Sequence, residues 1–562
     1  MGTLICAPIM VHDVAQALEL ADAARSLAAD LVEFRVDELF SGDPADEDKI
    51  LDLVRRSPLP CIVTCRPTWE GGACDADDDA RVALFERLGT SDHPPRYIDF
   101  ELAAYTRSPN LRQKIDLAVE HPRQVRDVKT SLILSTHDFI ARPSDLTRRV
   151  LSMGAQEAAS VHKIAFRARS LRDNLELFDI LSERSKPTIA LGMGEFGLMS
   201  RVLAPKFGAF LTFASVRPLE VTAPGQPTIR ELLDLYRFRS IGPETLVYGV
   251  VGWPVGHSLS PLIHNAGFEA VGHDAVYLPL PIAVGEKKAE ENGDGRDAHT
   301  TGGGGGYESF KATMLALVDH AALDLAGVSV TIPHKENLVR LAREQSWVID
   351  ELSEACGAGN TLAVSRGSGR LKALVTNTDA PAAASCLEDA IGDLAGKRIA
   401  ILGAGGVARA IAMGVSARGA DVLVVNRTRE RAEALCAALA PPTLAKGVAS
   451  AIEPDDLVGA SPDAIVNATP VGMTGGPAPS ESPLTESVLE ALPKSAVVFD
   501  TVYNPVRTPL LTLAERHGLR TIDGVAMFVR QAAMQFETWT GKTAPTQLFD
   551  RILREKLGSA PS

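Results

Sequence analysis

Between Leu4 and Ser215 the chain alternates eight short, apolar, β-branched runs with stretches whose apolar residues fall at helical spacing. The runs are LICAPIM (4–10), LVEFRVD (31–37), CIVTCRP (61–67), YIDFEL (97–102), LILSTHDF (132–139), VHKIAFRA (161–168), TIALGMG (188–194) and AFLTFAS (209–215). Segments such as VAQALELADAARSLAA (14–29) and DLTRRVLSMGAQEAAS (145–160) lie between them. A strand, a helix and a further strand make a parallel βαβ unit, because the chain must travel back the length of the sheet. Eight such units in about 230 residues predict a closed (β/α)8 barrel. An open doubly wound sheet is the alternative, and the polar residues at so many strand ends favour the barrel.

The pattern restarts after a short hinge, Ile241–Thr245. Before it, TAPGQPTIRELLDLYRF (222–238) reads as a turn and the last helix of the first part. The runs LVYGVVG (246–252), VSVTIPHK (328–335), LAVSR (362–366), RIAILGAGG (398–406), DVLVVNRT (421–428), AIVNATP (464–470) and AVVFDTVYNP (496–505) predict a second α/β part with a Rossmann-type half. Domain boundaries are expected at 1–240, 246–380 with returning C-terminal helices 526–562, and 381–525. GEKKAEENGDGRDAHTTGGGGG (285–306) has almost no apolar residue, so burial cannot offset its ordering entropy and a disordered surface excursion is expected.

Charge and cysteine usage exclude some functions. Fifty-seven Lys+Arg against 71 Asp+Glu leave −14, with no basic run, which disfavours nucleic acid as a partner. No stretch approaches the length of a membrane span. The start, MGTLICAPIM, lacks the pattern of a secretory signal, and the seven Cys sit mostly in apolar runs, so reduced thiols and a cytoplasmic location are expected. No His/Cys cluster has zinc spacing, and no metal is expected.

In a barrel the chemistry gathers at the strand ends. Glu33, Arg35 and Asp37 share a strand face by their period of two. Arg66 ends the third run and is followed by Glu70-Gly71-Gly72; His137-Asp138 ends the fifth; Arg201, Thr222 and Gln226 follow the seventh and eighth. Lys163 stands inside a nearly continuous apolar run, where desolvation is expected to depress its pKa and leave an amine able to form an imine with a carbonyl. His137 has the pKa range to move protons, and the arginines predict a carboxylate-bearing substrate. The set reads as a Schiff-base aldolase-like or dehydratase-like site.

The pieces EFRVD (33–37), TCRPTWEGG (64–72), STHDF (135–139), HKIA (162–165), MGEFGLMSR (193–201) and TAPGQ (222–226) resemble type I 3-dehydroquinate dehydratase, in order, over residues 1 to about 235. The resemblance implies that Lys163 forms the imine, His137 is the general acid/base and Glu70 orients it. It implies that Glu33, Arg35, Arg66, Thr222 and Gln226 contact substrate and that Arg201 clamps its carboxylate. Thr222 stands where the family often has serine. Dehydration fits the Arg66-to-Gly72 and His137-Asp138 pieces better than aldol chemistry does.

In the second part, Gly403-x-Gly405-x-x-Ala408 lies between a strand and a helix, the context in which such glycines cradle a pyrophosphate on a helix N-terminus. The next run ends in Asn426-Arg427-Thr428, with no acidic residue for a ribose; Arg427 suits a 2′-phosphate, so NADP(H) is expected over NAD, unless Arg427 only stacks on adenine. Ser258 and Ser260, with Asn360, Thr376 and Gln531, could make a hydroxyl- and carboxylate-binding surface, and Lys335 with Asp379 could shuttle a proton.

The segments GWPVGHSLSPLIHN (252–265), VTIPHK (330–335), GAGNT (357–361), NTDA (377–380), GAGGVARA (403–410), NRT (426–428), NATPVGM (467–473), DTVYNPVRTPLL (500–511) and DGVAMFVRQAAMQFETWTG (523–541) resemble shikimate dehydrogenase from about 246 to 555. The resemblance implies that Ser258 and Ser260 bind carboxylate, that Lys335 and Asp379 are the catalytic pair, and that Thr331, Asn360, Thr376, Tyr503 and Gln531 line the substrate. Gly403, Ala404, Gly405, Gly406, Val407, Ala408, Asn426, Arg427, Thr428, Thr469 and Gly524 would hold the nucleotide. Ser329 replaces an asparagine usual before V-T-x-P-x-K, and Ala382 a glycine usual after N-T-D. The implied small-molecule substrates are 3-dehydroquinate and 3-dehydroshikimate, handled in succession. Quinate with NAD, or one degenerate half, are the rivals. Oligomeric state is left open.

Overall fold

The computed structural model describes residues 2–124, 126–218, 225–284, 304–367, 370–439 and 446–558. They form two compact units, one of residues up to Thr245 together with Asp319–Asp324, the other of the remainder. Thr222 and residues 285–303 of the apolar-poor excursion lie outside the described residues; its last residues, 304–306, begin a helix, Gly304–Asp319, instead of continuing a coil.

Unit 1 is the barrel. Its strands are β1 (Leu4–Met10), β2 (Leu31–Arg35), β3 (Cys61–Thr64), β4 (Tyr97–Glu101), β5 (Ser131–Asp138), β6 (Ala159–Arg167), β7 (Thr188–Met193) and β8 (Leu211–Phe213). They are parallel, in the order β7-β6-β5-β4-β3-β2-β1-β8. The Phe210 N–H donates to the Thr188 carbonyl at 2.8 Å across the β7–β8 seam. An apolar layer of Cys6, Leu31, Ile62, Ile133, Val161, Ile189 and Leu211 fills part of the interior. The register of β5 against β6 shifts between Leu132 and Ile133, so that Leu132 faces Ala159 and Ile133 faces Val161. Ser160 is therefore an extra residue, a bulge. Beyond it Val161, Lys163 and Ala165 fall on one face, by the strand period of two.

Two expectations are corrected here. The second strand ends at Arg35, so Asp37 lies in the following turn and does not extend the strand's charged face. The regular helix expected within 222–238 is a π-helical turn, Glu231–Leu235.

Unit 2 holds two six-stranded sheets. The first, ordered β10-β9-β11-β13-β14-β12, comprises β9 (Leu246–Gly252), β10 (Ala275–Pro281), β11 (Leu325–Val330), β12 (Val348–Ile349), β13 (Thr361–Gly367) and β14 (Arg370–Thr376). The second, ordered β17-β16-β15-β18-β19-β20, comprises β15 (Arg398–Leu402), β16 (Asp421–Val425), β17 (Ala449–Ala451), β18 (Ala464–Asn467), β19 (Val497–Asp500) and β20 (Arg520–Ile522). This second order is doubly wound, reversing direction between β15 and β18, where such sheets bind ligands. Apolar clusters cover both of its faces. The long helix Gly524–Thr540 returns to the first sheet and buries Val525, Val529, Ala532 and Phe536 against Tyr248, Phe268 and Tyr277.

Candidate active sites

In unit 1 five neighbouring strands, β2 to β6, bring charged groups together at their ends. Lys163 stands beside Ser135 in the β5–β6 register, with His137 two residues further along. Its Nζ donates to Asp99 Oδ2 at 2.8 Å and Glu33 Oε1 at 3.0 Å, and lies 4.6 Å from the centre of the Phe213 ring. Arg66 donates to Asp99 Oδ1 (2.7 Å), Glu101 Oε1 (2.8 Å) and Ser135 Oγ (2.8 Å). A second buried guanidinium, Arg81, binds Glu101 and the Cys65 carbonyl. Each charge of this network thus meets its opposite, as a low-dielectric interior demands.

This geometry overturns the expectation of a depressed amine. Burial alone would lower the Lys163 pKa, but the carboxylates of Asp99 and Glu33 outweigh it and hold the amine above its ordinary value. The resting lysine is an ammonium stored between two carboxylates. Asp99 and Glu101 escaped the sequence reading, although their period of two in YIDFEL carries the same signal as Glu33 and Arg35 in β2.

Glu70 sits at the end of the 3-10 turn Thr68–Glu70. Its Oε1 accepts the backbone N–H of His137 at 2.9 Å and lies 3.0 Å from His137 Nδ1. An oxygen accepting one N–H is placed to accept the Nδ1 proton too, which leaves Nε2 with its lone pair. Burial pushes the Glu70 carboxyl up to about 8, partly offset by Arg66. Burial, then the cations Arg66 and Lys163, hold His137 well below its ordinary value.

Arg201 lies on the short helix Leu198–Val202 after β7 and is 2 % exposed. Its Nε has no hydrogen-bond partner, and no carboxylate pairs with it among the described residues. Burial pushes its pKa down to about 10. Such an uncompensated buried cation favours an anionic partner. Gln226 is buried. Arg35 pairs in a bidentate fashion with Asp37, at 2.9 and 2.8 Å.

In unit 2 Lys335 begins the helix Lys335–Glu344 and donates to Asp379 Oδ2 at 2.6 Å. Asp379 begins the helix Asp379–Ile391, whose first N–H groups, Asp379 and Ala380, donate to Asn377 Oδ1. Asn360 Oδ1 accepts the Thr378 N–H at 2.8 Å, and its Nδ2 donates to Thr378 Oγ1 at 3.0 Å, so Asn360 fixes the turn that carries Asp379. The Thr376 hydroxyl is buried without a hydrogen-bond partner among the described residues. Ser258 Oγ accepts the Ser260 N–H at 3.3 Å. Ser329 accepts from Tyr277 and donates to Gln535, both at 2.7 Å. Gln535 in turn donates to the Asn360 carbonyl. Gln531 donates to the Phe528 carbonyl, Tyr503 stacks on Phe528 at 4.7 Å, and the Thr331 N–H donates to the Val251 carbonyl. Asn377 and Gln535 are positioning groups that the sequence reading missed; nothing in their spacing marks them.

The nucleotide test falls on the turn after β15. Gly403 has φ +112°, and a Cβ there would stand 3.1 Å from Thr469 Cγ2 and 3.2 Å from the Ala468 carbonyl. At Gly405 and Gly406 a Cβ would project into open space at the N-terminus of the helix Gly406–Ser416, which leaves bare backbone for a pyrophosphate. Ala404, Val407 and Ala408 complete the turn. After β16, Arg427 is exposed beside Thr428, whose carbonyl accepts from Asn426 at 2.9 Å. Gly524 lies where a Cβ would meet the Val502 carbonyl at 2.4 Å. The residues present fit a nucleotide with a 2′-phosphate.

Among the described residues there is no group of three or more His, Cys, Asp or Glu placed to hold a metal, and no helix is long and apolar enough to cross a membrane.

Fold and site together define a class: a (β/α)8 barrel with a buried lysine–histidine centre, followed by a Rossmann-type unit with a lysine–aspartate pair. The family model for type I 3-dehydroquinase matches residues 5–243. Models for the shikimate dehydrogenase substrate binding domain, shikimate/quinate 5-dehydrogenase and the shikimate 5′-dehydrogenase C-terminal domain match 250–362, 385–465 and 524–554. The chloroplastic bifunctional 3-dehydroquinate dehydratase/shikimate dehydrogenase of Arabidopsis thaliana is 36% identical, over 98% of this chain and 84% of its own. The shikimate dehydrogenase (NADP(+)) of Methanopyrus kandleri is 36% identical over 57% of this chain and 98% of its own; that of Methanocella arvoryzae is 35% identical over 55% and 99%. The chain belongs to the bifunctional 3-dehydroquinate dehydratase/shikimate dehydrogenase family.

Proposed function

We propose that this chain catalyses two consecutive steps, Schiff-base dehydration of 3-dehydroquinate to 3-dehydroshikimate in unit 1 and NADPH-dependent reduction of that product to shikimate in unit 2. The observation that carries the first step is the lysine held by Asp99 and Glu33 within a network that includes Arg66 and leads to the His137–Glu70 pair. We assign 1–240 to the dehydratase, 246–380 with 526–562 to substrate binding in the dehydrogenase, and 381–525 to the nucleotide.

The ammonium of Lys163 first gives a proton to Asp99 or Glu33. The freed amine adds to the substrate ketone, and water leaves as the iminium forms. The iminium draws electrons from the adjacent C–H, whose proton passes to His137 Nε2. The enamine then expels the β-hydroxyl, which takes that proton and departs as water. A second water hydrolyses the iminium and releases Lys163. Arg201 holds the carboxylate, and Glu33, Arg35, Arg66, Thr222 and Gln226 face the ring substituents.

In unit 2 a nicotinamide nucleotide held along the Gly403–Ala408 turn would supply the hydride for the ketone carbon. Lys335 delivers a proton to the carbonyl oxygen, and Asp379, 2.6 Å away, stabilises the ammonium before transfer. Ser258 and Ser260 bind the carboxylate; Thr331, Asn360, Thr376, Tyr503 and Gln531 line the ring. Arg427 and Thr428 meet the 2′-phosphate, with Asn426, Thr469 and Gly524 along the nucleotide. The free thiols, mostly buried, support a reducing compartment, the cytoplasm.

The test supplies 3-dehydroquinate with NADPH or NADH to the purified chain and to Lys163→Ala and Lys335→Ala. Borohydride should fix substrate to the parent and to Lys335→Ala but not to Lys163→Ala. Lys163→Ala should still reduce added 3-dehydroshikimate, and Lys335→Ala should still form it. Full dehydratase turnover by Lys163→Ala would remove the imine mechanism. Equal turnover with quinate and NAD would replace the second assignment.

A further inference from the structure

Asp99 lies at the middle of β4, fully buried, and donors from three other strands or their ends converge on its two oxygens. Oδ1 accepts from Arg66 Nη2 at 2.7 Å and from Ser135 Oγ at 2.6 Å, and Oδ2 accepts from Lys163 Nζ at 2.8 Å. Arg66 is itself braced: its Nη1 donates to Glu101 Oε1 at 2.8 Å, while Arg81 binds the other Glu101 oxygen. Glu33 is held differently, its Oε1 accepting from Thr64 Oγ1 at 2.8 Å and from Lys163 at 3.0 Å. Among the described residues Asp99 thus faces two cations and Glu33 one.

This asymmetry separates two tasks. Imine formation needs a group beside the amine that can gain a proton and give it back. A proton on Asp99 would remove the carboxylate that Arg66 and Lys163 share and leave buried cations uncompensated. Imine chemistry also leaves a cation on the nitrogen in a dry interior, where the Phe213 ring lies 4.6 Å from Nζ. An imine nitrogen is a weaker base than an amine, so without a facing carboxylate it would release its proton and stop drawing electrons.

We propose that Asp99 stays a carboxylate throughout turnover as the counter-ion of the iminium on Lys163, and that Glu33 carries the proton that imine formation moves. The proposal rests on the imine reading of unit 1.

Atoms and charge balance. The Lys163 ammonium gives one proton to Glu33. The amine lone pair forms the C–N bond as the carbonyl π pair moves to oxygen, and one proton passes from nitrogen to that oxygen. Glu33 returns its proton to the new hydroxyl, the C–O bond breaks, water leaves and the nitrogen lone pair makes the C=N bond. One proton remains on nitrogen, facing Asp99. Burial would push the Asp99 carboxyl up, but Arg66 first and Lys163 next hold it well below the usual carboxylate range, as a permanent charge requires. The other titratable groups that act on Lys163 are Glu33 on β2, Arg66 after β3, His137 on β5 and Cys6 on β1.

The test follows dehydration of 3-dehydroquinate by the full chain as pH rises from neutrality. In parallel it follows trapping by cyanoborohydride, which reduces an iminium and spares a neutral imine. Two variants should tilt in opposite directions. In Asp99→Asn the alkaline fall of turnover and trapping should move about 1–3 pH units lower, the effect of one facing charge, and lowering the pH should restore both. In Glu33→Gln trapping should slow about 100-fold near neutrality and recover as pH rises and solvent takes the ammonium proton. A merely structural role would lower the rate by the same factor at every pH. An unmoved alkaline limit in Asp99→Asn, or Glu33→Gln trapping that ignores pH, would overturn the proposal. If hydrogen exchange of β6 and β7 peptides shows Asp99→Asn to be unfolded, the parent decides. Its infrared difference spectrum, with aspartate carboxyls isotope-labelled, should show no aspartic acid appearing when substrate is added, and such a band would overturn the counter-ion. A parent that yields no reducible adduct would refute the imine reading itself, whereas a trapped parent with an unmoved limit in Asp99→Asn would refute the counter-ion alone.

Discussion

Arg201 offers the sharpest quantitative prediction, because it opposes stability to function at one side chain. Its guanidinium is 2 % exposed, and its Nε lacks a partner. A guanidinium pKa brought down to about 10 by burial corresponds to about 3 kcal/mol of lost solvation. The sign follows from proton binding. Below about pH 10 both folded and unfolded chains hold the proton, so the full penalty is present at neutral pH and is relieved only as pH rises past the folded value. Arg201→Met keeps the apolar stem and removes the charge, so unit 1 should gain about 2–3 kcal/mol after a small packing loss. The same change deletes the proposed carboxylate clamp, and kcat/KM for dehydration should fall on the order of 100-fold, the worth of a pair of charge-assisted hydrogen bonds. Hydrogen exchange of peptides from β6 and β7 reads unfolding of unit 1 alone, which avoids treating a two-unit chain as two-state. A loss of more than about 1 kcal/mol, together with unaltered kcat/KM, would refute both the uncompensated charge and the clamp.

Asp99→Asn leaves Lys163 and Arg66 without their shared carboxylate; unit 1 should lose about 3 kcal/mol in urea unfolding followed by exchange, and the Lys163 pKa should fall. Glu70, raised to about 8, contributes stability that is present below its ordinary 4.5 and lost as pH rises through about 8. Glu70→Gln should therefore gain stability relative to the parent across that window, measured by exchange at several pH values. Because His137 is held well below its ordinary value, dehydratase kcat/KM should show no histidine inflection near pH 6.5. Arg427→Ala should raise KM for NADPH about tenfold and leave KM for NADH unchanged, as read from initial rates.

Repetition made the barrel legible: every run from LICAPIM to AFLTFAS contains a strand, because fully buried parallel strands are apolar and β-branched. Lys163 and His137 stood out as polar interruptions of such runs. Asp99 carried the same kind of signal but lies in YIDFEL, where no glycine, histidine or lysine draws attention. The strands β10, β12, β14, β17 and β20 went unread; β12, β17 and β20 are short, and β10, AVYLPLP, is interrupted by proline. The amine's charge state was misjudged for a physical reason: a pKa depends on neighbours across the barrel, and Asp99 lies 64 positions from Lys163. Asn377 and Gln535 act through backbone groups, and a sequence does not announce which carbonyl a side chain meets.

The unpaired Ser160 between Ala159 and Val161 gives β6 one residue of slack, and only there. Losing that residue merely straightens the ladder, whereas dropping one between Val161 and Lys163 swaps inside for outside and aims the ammonium at the helices. Length variation among relatives should therefore collect at the foot of this strand and vanish three positions later, a parity rule readable from chain lengths alone.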